Sequence, residues 1–249
     1  METALYLIPV TLGATPFHQV IPAYNLDVIR QIRHFIVEEE RTARRFLKMA
    51  DKSIDIDQLT FYPMGKHADP KQFRDYLRPL CNGEAMGIIS EAGCPAIADP
   101  GADVVAIAQS LNLRVIPLVC PSSILLGLMA SGFNGQSFAF HGYLPINDGQ
   151  RSAMLKKLEA RCSAEDQTQI FIETPFRNQQ LFEDLLRICH PQTRLCVAAA
   201  ITCEDEFIHT HTIQEWKKTT LPDLRKTPTI FLIYRPAAGE QRPSGRHRR

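Results

Sequence analysis

Short apolar runs of β type alternate with stretches whose apolar residues recur at helical spacing along most of this 249-residue chain. Residues 4–9 read as a buried first strand, residues 25–33 have helical periodicity, and residues 34–37 form a second strand that ends in Glu38-Glu39-Glu40. The pattern predicts a helix over 41–49, a strand over 59–64, and a helix over 70–80 opened by Asp69 as cap. Residues 86–89 are the next strand, 103–108 begin a helix, and 114–118 are a further strand. Pro121-Ser122-Ser123 then opens a helix running to residue 130.

The turn-forming run Ser131-Gly132-Phe133-Asn134-Gly135-Gln136 marks a domain boundary. Beyond it the alternation restarts, with strands over 137–141, 169–172, 195–200 and 229–234 and helices over 150–161 and 177–189. Residues 206–212 read as extended and 213–218 as a short helix, and no repeat of fixed period occurs. The expectation is an α/β protein of two domains with parallel or mixed sheets, over residues 1–132 and 133–236, followed by a basic, disordered tail over 237–249.

Composition narrows the class without naming a function. With 45% apolar and 22% charged residues the chain is ordinary for a globular protein, and it has neither a membrane-length apolar run nor a signal sequence, so a cytoplasmic location is expected. Seven cysteines, scattered singly, suggest neither a disulfide framework nor a zinc site, and no metal is implied. Cys189, Cys196 and Cys203 read as small core residues. A net charge of +1 gives no global field for nucleic acid, leaving two local basic stretches: the predicted helix containing Arg41, Arg44 and Arg45, and the tail from Arg242 to Arg249.

The segment Ser90-Glu91-Ala92-Gly93-Cys94-Pro95-Ala96-Ile97-Ala98-Asp99-Pro100-Gly101 sits between a strand and a helix, where open α/β sheets bind ligands. Gly93 permits close backbone approach and Pro95 stiffens the turn, while Asp99-Pro100 also has the chemistry of a plain helix start. Three other turns follow strands in the same way: Val10-Thr11-Leu12-Gly13-Ala14, Val119-Cys120-Pro121-Ser122-Ser123 and Glu173-Thr174-Pro175. The P-loop and Gly-x-Gly-x-x-Gly patterns are absent, which disfavours a ligand held by its phosphates and leaves a phosphate-free adenosyl ligand open. There is no nucleophile elbow around Ser122 or Ser123, and His18 and His141 are lone histidines that read as structural.

These residues carry a family resemblance. The segment 90–101 resembles the signature loop of the tetrapyrrole methylase superfamily, and within it the ribosomal RNA small subunit methyltransferase I branch. The resemblance covers nearly the whole chain. Leu5-Tyr6-Leu7 is similar to the branch's first strand, Glu38-Glu39-Glu40-Arg41-Thr42-Ala43-Arg44-Arg45 to its acidic-then-basic motif, and Gly142-Tyr143-Leu144-Pro145 to its interdomain segment. Ile170-Phe171-Ile172-Glu173-Thr174-Pro175-Phe176-Arg177 is similar to its second-domain strand and turn.

The resemblance implies S-adenosylmethionine, with S-adenosylhomocysteine as product, in a cleft between two α/β domains of a homodimer. It assigns cofactor contacts to Thr11, Gly13, Ala92, Gly93, Cys94, Ile97, Ser122, Ser123 and Glu173, and further ones to Ile201, Thr202, Pro228, Thr229 and Ile230. The expected activity is methylation of a ribose oxygen of small-subunit ribosomal RNA. Arg41 and Arg44, three apart on one helix face, are candidates to hold an RNA phosphate. Glu38, Glu39, Glu91 and Asp99 are the carboxylates near strand ends that could accept a proton, although capping and salt bridging explain each as well.

The chain departs from the branch at several turns. Pro9-Val10-Thr11-Leu12-Gly13-Ala14 replaces Ala-Thr-Pro-Ile-Gly-Asn, Val119-Cys120-Pro121-Ser122 replaces Pro-Gly-Pro-Ser, and Ala199-Ala200-Ile201-Thr202-Cys203 replaces Arg-Glu-Leu-Thr-Lys. A divergent relative is therefore expected. Two other readings stand beside RNA methylation: a methyltransferase for a small, tetrapyrrole-like molecule, and a cofactor-binding module that has lost catalysis.

Overall fold

The computed structural model describes residues 1–65, 68–220 and 223–236, so the tail over 237–249 lies outside the described residues. The chain forms two compact units, Met1–Ser122 and Ser123–Arg249.

Unit 1 contains β1 (Leu5–Ile8), α1 (Phe17–Val20), α2 (Ala23–Ile29), β2 (His34–Val37), α3 (Glu40–Ala50), β3 (Thr60–Pro63), α4 (Phe73–Tyr76), α5 (Arg78–Cys81), β4 (Met86–Ile89), α6 (Gly101–Ser110) and β5 (Val115–Pro117). All its strands are parallel, in the order β3-β2-β4-β1-β5. Successive residues send side chains to opposite faces. Tyr6, Phe35 and Ile89 join Val28, Ile29, Phe46 and Leu47 in one core, while Leu5, Ile36 and Ile88 join Phe73, Leu77, Val104 and Ala108 in the other. Burial on both faces explains why the inner strands read as unbroken apolar runs. The edge strands β3 and β5 both end in proline, which blunts further pairing.

The helix expected over 70–80 is broken into a 3-10 turn (Pro70–Gln72), α4 and α5. Pro79 has no N–H to donate, and its ring disfavours a helical carbonyl at Asp75, so the helix stops at Leu77. Asp69 does act as a cap, accepting from the Lys71 amide at 3.0 Å. The single turn α1 carries too few residues to show a period and has no counterpart among the predicted elements.

Unit 2 contains α7 (Ser123–Ser131), β6 (Phe138–Tyr143), α8 (Asp148–Ala164), β7 (Thr168–Ile172), α9 (Asn178–Ile188), β8 (Arg194–Ala199), β9 (Phe207–Thr212), α10 (Ile213–Trp216) and β10 (Thr229–Tyr234). Its sheet runs β6-β7-β10-β8-β9 and is mixed: β6 and β7 are parallel, and the other neighbours antiparallel. Leu155, Leu158, Phe171, Leu185, Val197, Trp216 and Phe231 fill the core under α8 and α9. Trp216 satisfies its indole N–H on the Leu195 carbonyl at 2.8 Å.

The units divide between Ser122 and Ser123, ahead of the turn-rich run 131–136. Helix α7 packs within unit 2, where a Cβ on Gly127 would lie 3.1 Å from Ile230 Cγ2, and Thr210 donates to the Ser131 carbonyl at 3.0 Å. The buried Arg151 pins α8 to α9. Its Nε and Nη2 both donate to Asp184 Oδ2, at 2.8 and 2.6 Å, Nη2 also reaches Asp148, and Nη1 donates to the Ile146 carbonyl at 2.7 Å.

Candidate functional site

Strands β4, β1 and β5 are neighbours, so the loops after them emerge side by side at the carboxyl edge of the unit 1 sheet. Those loops are residues 9–15, 90–101 and 118–122, three of the four turns singled out in the sequence. The first two are joined by a backbone pair, with Val10 and Gly93 each donating to the other's carbonyl at 3.0 Å. Thr11 and Gly93 are buried, while Gly13, Ala92 and Ile97 are exposed and Cys94 and Ser122 half-buried. None of the three loops contains a lysine or arginine.

The signature loop is conformationally costly. Gly93 has φ +67°, and Ala96 and Ala98 also have positive φ, 67° and 61°. Glycine takes this conformation freely, but the two alanines cost of order 1–2 kcal/mol each, so the loop persists because its surroundings fix it. Asp99 supplies part of that constraint: Oδ1 accepts from the Ala96 amide at 3.0 Å and the Gly101 amide at 2.7 Å. Burial pushes the Asp99 carboxyl above the usual aspartate range, and the amide hydrogen bonds only partly oppose it. Asp99 therefore works as a loop brace and helix start.

The other carboxylates cluster where β2 and β4 end. The Glu91 amide donates to Glu38 Oε2 at 3.4 Å, and the Thr42 hydroxyl lies 2.5 Å from Glu91 Oε1 and 2.9 Å from the Glu39 carbonyl. Glu39 caps α3 through the Arg41 amide at 3.2 Å. Among these, Glu91 is the exposed carboxylate on the signature loop itself.

The two arginines of α3 proposed to hold a phosphate, Arg41 and Arg44, have different surroundings. Arg44 pairs with Glu40 at 2.7 Å and sits 5.1 Å above the Phe61 ring. Arg41 is exposed, and its guanidinium has no ion pair among the described residues.

In unit 2 the predicted residues also converge. The end of β7, the start of β10 and the end of β8 lie side by side, with Ile230 opposite Ile172 and Thr229 opposite Ala199. Glu173, Pro228, Thr229, Ile230, Ile201 and Thr202 therefore share one edge of that sheet, and the Ala200 amide donates to the Pro228 carbonyl at 3.0 Å. Ser123 is the first residue of α7. The Glu173 carboxylate is buried and already engaged, with Oε1 accepting from Arg177 and from the Thr174 amide, each at 2.6 Å. Ala200 and Thr202 have positive φ, 48° and 73°, so this turn is strained like the signature loop.

Cysteine pairing corrects the expectation drawn from spacing. Cys94 and Cys120 form a disulfide with their Cα atoms 5.8 Å apart. Cysteine spacing gives no hint of it, because the two residues meet only through the adjacency of the β4 and β5 loops around β1. Cys189 and Cys196 are buried as expected and Cys203 is only half-buried; burial pushes the Cys196 thiol up to about 11. His141 is held by Gln169 at 2.7 Å, in line with a structural role. The described residues contain no cluster of three or more His, Cys, Asp or Glu suited to a metal, and no helix long and apolar enough to cross a membrane.

An all-parallel sheet unit joined to a mixed-sheet unit, with glycine- and hydroxyl-bearing turns at the strand ends, is the tetrapyrrole methylase fold. The solved structure of the methyltransferase CobJ superposes with a TM-score of 0.61 at 14% identity, covering 93% of each chain. Cobalt precorrin-4 methyltransferase CbiF gives 0.60 at 11% identity, covering 93% of this chain and 95% of that one. In sequence the chain is similar to the ribosomal RNA small subunit methyltransferase I proteins. It is 27% identical to the one from Vibrio cholerae serotype O1 over 243 residues, 96% of this chain and 80% of that protein. No family model matches the chain.

Proposed function

We propose that the protein is an S-adenosylmethionine-dependent methyltransferase that acts on RNA of the small ribosomal subunit. The observation that carries the reading is the meeting of the 9–15, 90–101 and 118–122 loops at the carboxyl edge of three adjacent parallel strands, built from small residues and carboxylates without a basic side chain. Such a surface suits a ligand that brings positive charge and no phosphate. The likeness to ribosomal RNA small subunit methyltransferase I over nearly the whole chain supports the same donor and an RNA acceptor.

The cofactor, when bound, supplies an electrophilic methyl group on a sulfonium that is already a good leaving group. The protein's task is then alignment and exclusion of water. Gly93 brings backbone to the ligand without a Cβ, and Thr11, Gly13, Ala92, Cys94, Ile97 and Ser122 surround it. The assignments of Ser123, Glu173, Ile201, Thr202, Pro228, Thr229 and Ile230 to the cofactor rest on the motif resemblance. Glu91 is the proton acceptor for an attacking ribose hydroxyl, since it is exposed on the signature loop with one oxygen oriented by Thr42. Arg41 meets an RNA phosphate. A homodimer in the cytoplasm completes the reading.

The test is transfer of labelled methyl from S-adenosylmethionine into small ribosomal subunits from a strain deleted for this protein, followed by nuclease digestion. Nuclease-sensitive label is the expected result. Label that survives nuclease and runs as a small molecule would instead identify the tetrapyrrole-like substrate class. Tight cofactor binding with no transfer to any cell fraction would identify a module without catalysis. Glu91→Gln should lower kcat roughly a hundredfold at unchanged cofactor affinity; an unchanged kcat excludes Glu91 as the acceptor.

A further inference from the structure

The Cys94–Cys120 disulfide joins the loop after β4 to the segment after β5. It spans a sequence separation of 26 residues. Gly93 already lies against this segment, since a Cβ built on it would be 3.3 Å from the Pro121 carbonyl oxygen. The signature loop is therefore held at three places: at its entrance by the Val10–Gly93 pair, at its exit by Asp99, and between them by the disulfide. Between the disulfide and the Asp99 brace lie the two alanines with positive φ. This strained stretch depends on fixed ends.

Both cysteines of the pair are half-buried, within reach of a small thiol. Of the cysteines outside it, Cys162, Cys189 and Cys196 are buried, Cys203 is half-buried and Cys81 is exposed, so proximity to a second cysteine, not accessibility, sets the pair apart. Burial pushes Cys162 up to about 12, so almost none of it is thiolate at neutral pH.

We propose that Cys94 and Cys120 form a reversible thiol–disulfide site that locks the signature loop onto the 118–122 segment and so raises affinity for the adenosyl ligand. The affinity part rests on the function proposed above; the lock itself does not. The reaction partner is a low-molecular-weight disulfide such as oxidised glutathione. One cysteine thiolate attacks it, forming a mixed disulfide and releasing one small thiol. The second cysteine thiolate then displaces the second small thiol. Two electrons and two protons pass from the cysteine pair to the oxidant, and the reverse exchange with reduced thiol reopens the site.

The experiment equilibrates the full chain in glutathione buffers of opposite poise, then reads peptide linkage by mass spectrometry, hydrogen exchange of residues 90–101, and S-adenosylhomocysteine binding by calorimetry. The oxidised form should give a Cys94–Cys120 linked peptide, at least tenfold slower exchange in the loop, and at least fivefold tighter binding. Cys120→Ser should show the reduced-form values in both buffers, and Cys94→Ser, whose side chain also meets the ligand, the reduced-form loop exchange in both. A different pairing, or loop exchange that is the same in both buffers, overturns the proposal. Slower exchange with equal, measurable binding overturns its affinity part. Slower exchange with no binding in either form leaves the lock standing and sinks the proposed cofactor instead.

Discussion

Val10 and Gly93 exchange both of their backbone hydrogen bonds, each at 3.0 Å, and so tie the loop after the first strand to the signature loop. Gly93 holds φ +67° to do this, and a Cβ there would stand 3.1 Å from Leu12 Cδ2. Gly93→Ala should therefore cost about 1–2 kcal/mol of stability from backbone conformation alone. It should also weaken S-adenosylmethionine binding more than tenfold. Urea unfolding and calorimetry on the same variant check both. On sequence grounds this glycine serves the ligand; the structure makes it a requirement of the loop itself, so wild-type stability in the alanine variant would remove the structural half of the argument.

Asp99 gives a pH prediction. Its folded-state pKa is raised by burial, so between the ordinary aspartate value, about 3.9, and the raised one the folded state holds more protons than the unfolded state. Stability from this site falls as pH rises through that window and stays reduced above it. Asn can accept the same Ala96 and Gly101 amides without ionising. Asp99→Asn should thus melt at or above the wild-type temperature at neutral pH and lose that advantage below pH 4, whereas Asp99→Ala, which leaves the amides unmatched, should cost about 1 kcal/mol at neutral pH. Thermal melts of the three proteins across pH decide the matter; an asparagine variant less stable than wild type at neutral pH refutes the sign.

Arg151 and Asp184 test the second unit. Burial alone would raise the Asp184 carboxyl, but hydrogen bonds from Arg187 and Arg151 outweigh it and hold the group below the usual aspartate range. Because the folded pKa is depressed, the stabilisation is present at neutral pH and is lost as pH falls through the ordinary value toward the depressed one. Arg151→Ala leaves a nearly buried carboxylate with Arg187 as its remaining partner and should cost about 1.5–3 kcal/mol. Arg151→Met with Asp184→Leu should recover most of that deficit. Denaturant midpoints for the single and double variants separate a buried-charge penalty from a simple packing defect.

The parts of this architecture legible in sequence are those that local pattern determines. The strands His34–Val37, Met86–Ile89 and Thr229–Tyr234 match the predicted bounds because each is an apolar run cut off by charge, glycine or proline. The four ligand-type turns are visible because glycine, proline and hydroxyl residues follow strands. What pattern cannot carry is adjacency: strand order puts β1 between β4 and β5, and only that order brings Cys94 to Cys120 and Val10 to Gly93. The burial of Arg151 follows from the docking of α8 on α9, which leaves no trace in helical periodicity. The broken helix at Leu77 is in principle readable from Pro79, whose effect on the preceding turn is local.

Arg41 and Arg44, a phosphate clamp by spacing alone, should behave differently when separated. Arg44 is committed to Glu40 and to the face of Phe61, contacts that contribute to α3 and its seat on the sheet. Arg44→Ala should cost roughly 0.5–1 kcal/mol of stability, an exposed helical ion pair plus a cation–π contact. Arg41 makes no such pair, so Arg41→Ala should leave the unfolding midpoint unchanged while weakening binding to small-subunit RNA. Removing one phosphate-binding arginine should flatten the plot of log affinity against log salt by about 0.7 to 0.9. A fluorescence titration across salt concentrations, beside a denaturant melt, reads both effects. If Arg41→Ala keeps the wild-type salt slope, this end of α3 lies outside the RNA path, and the Arg44 result will then report on folding alone.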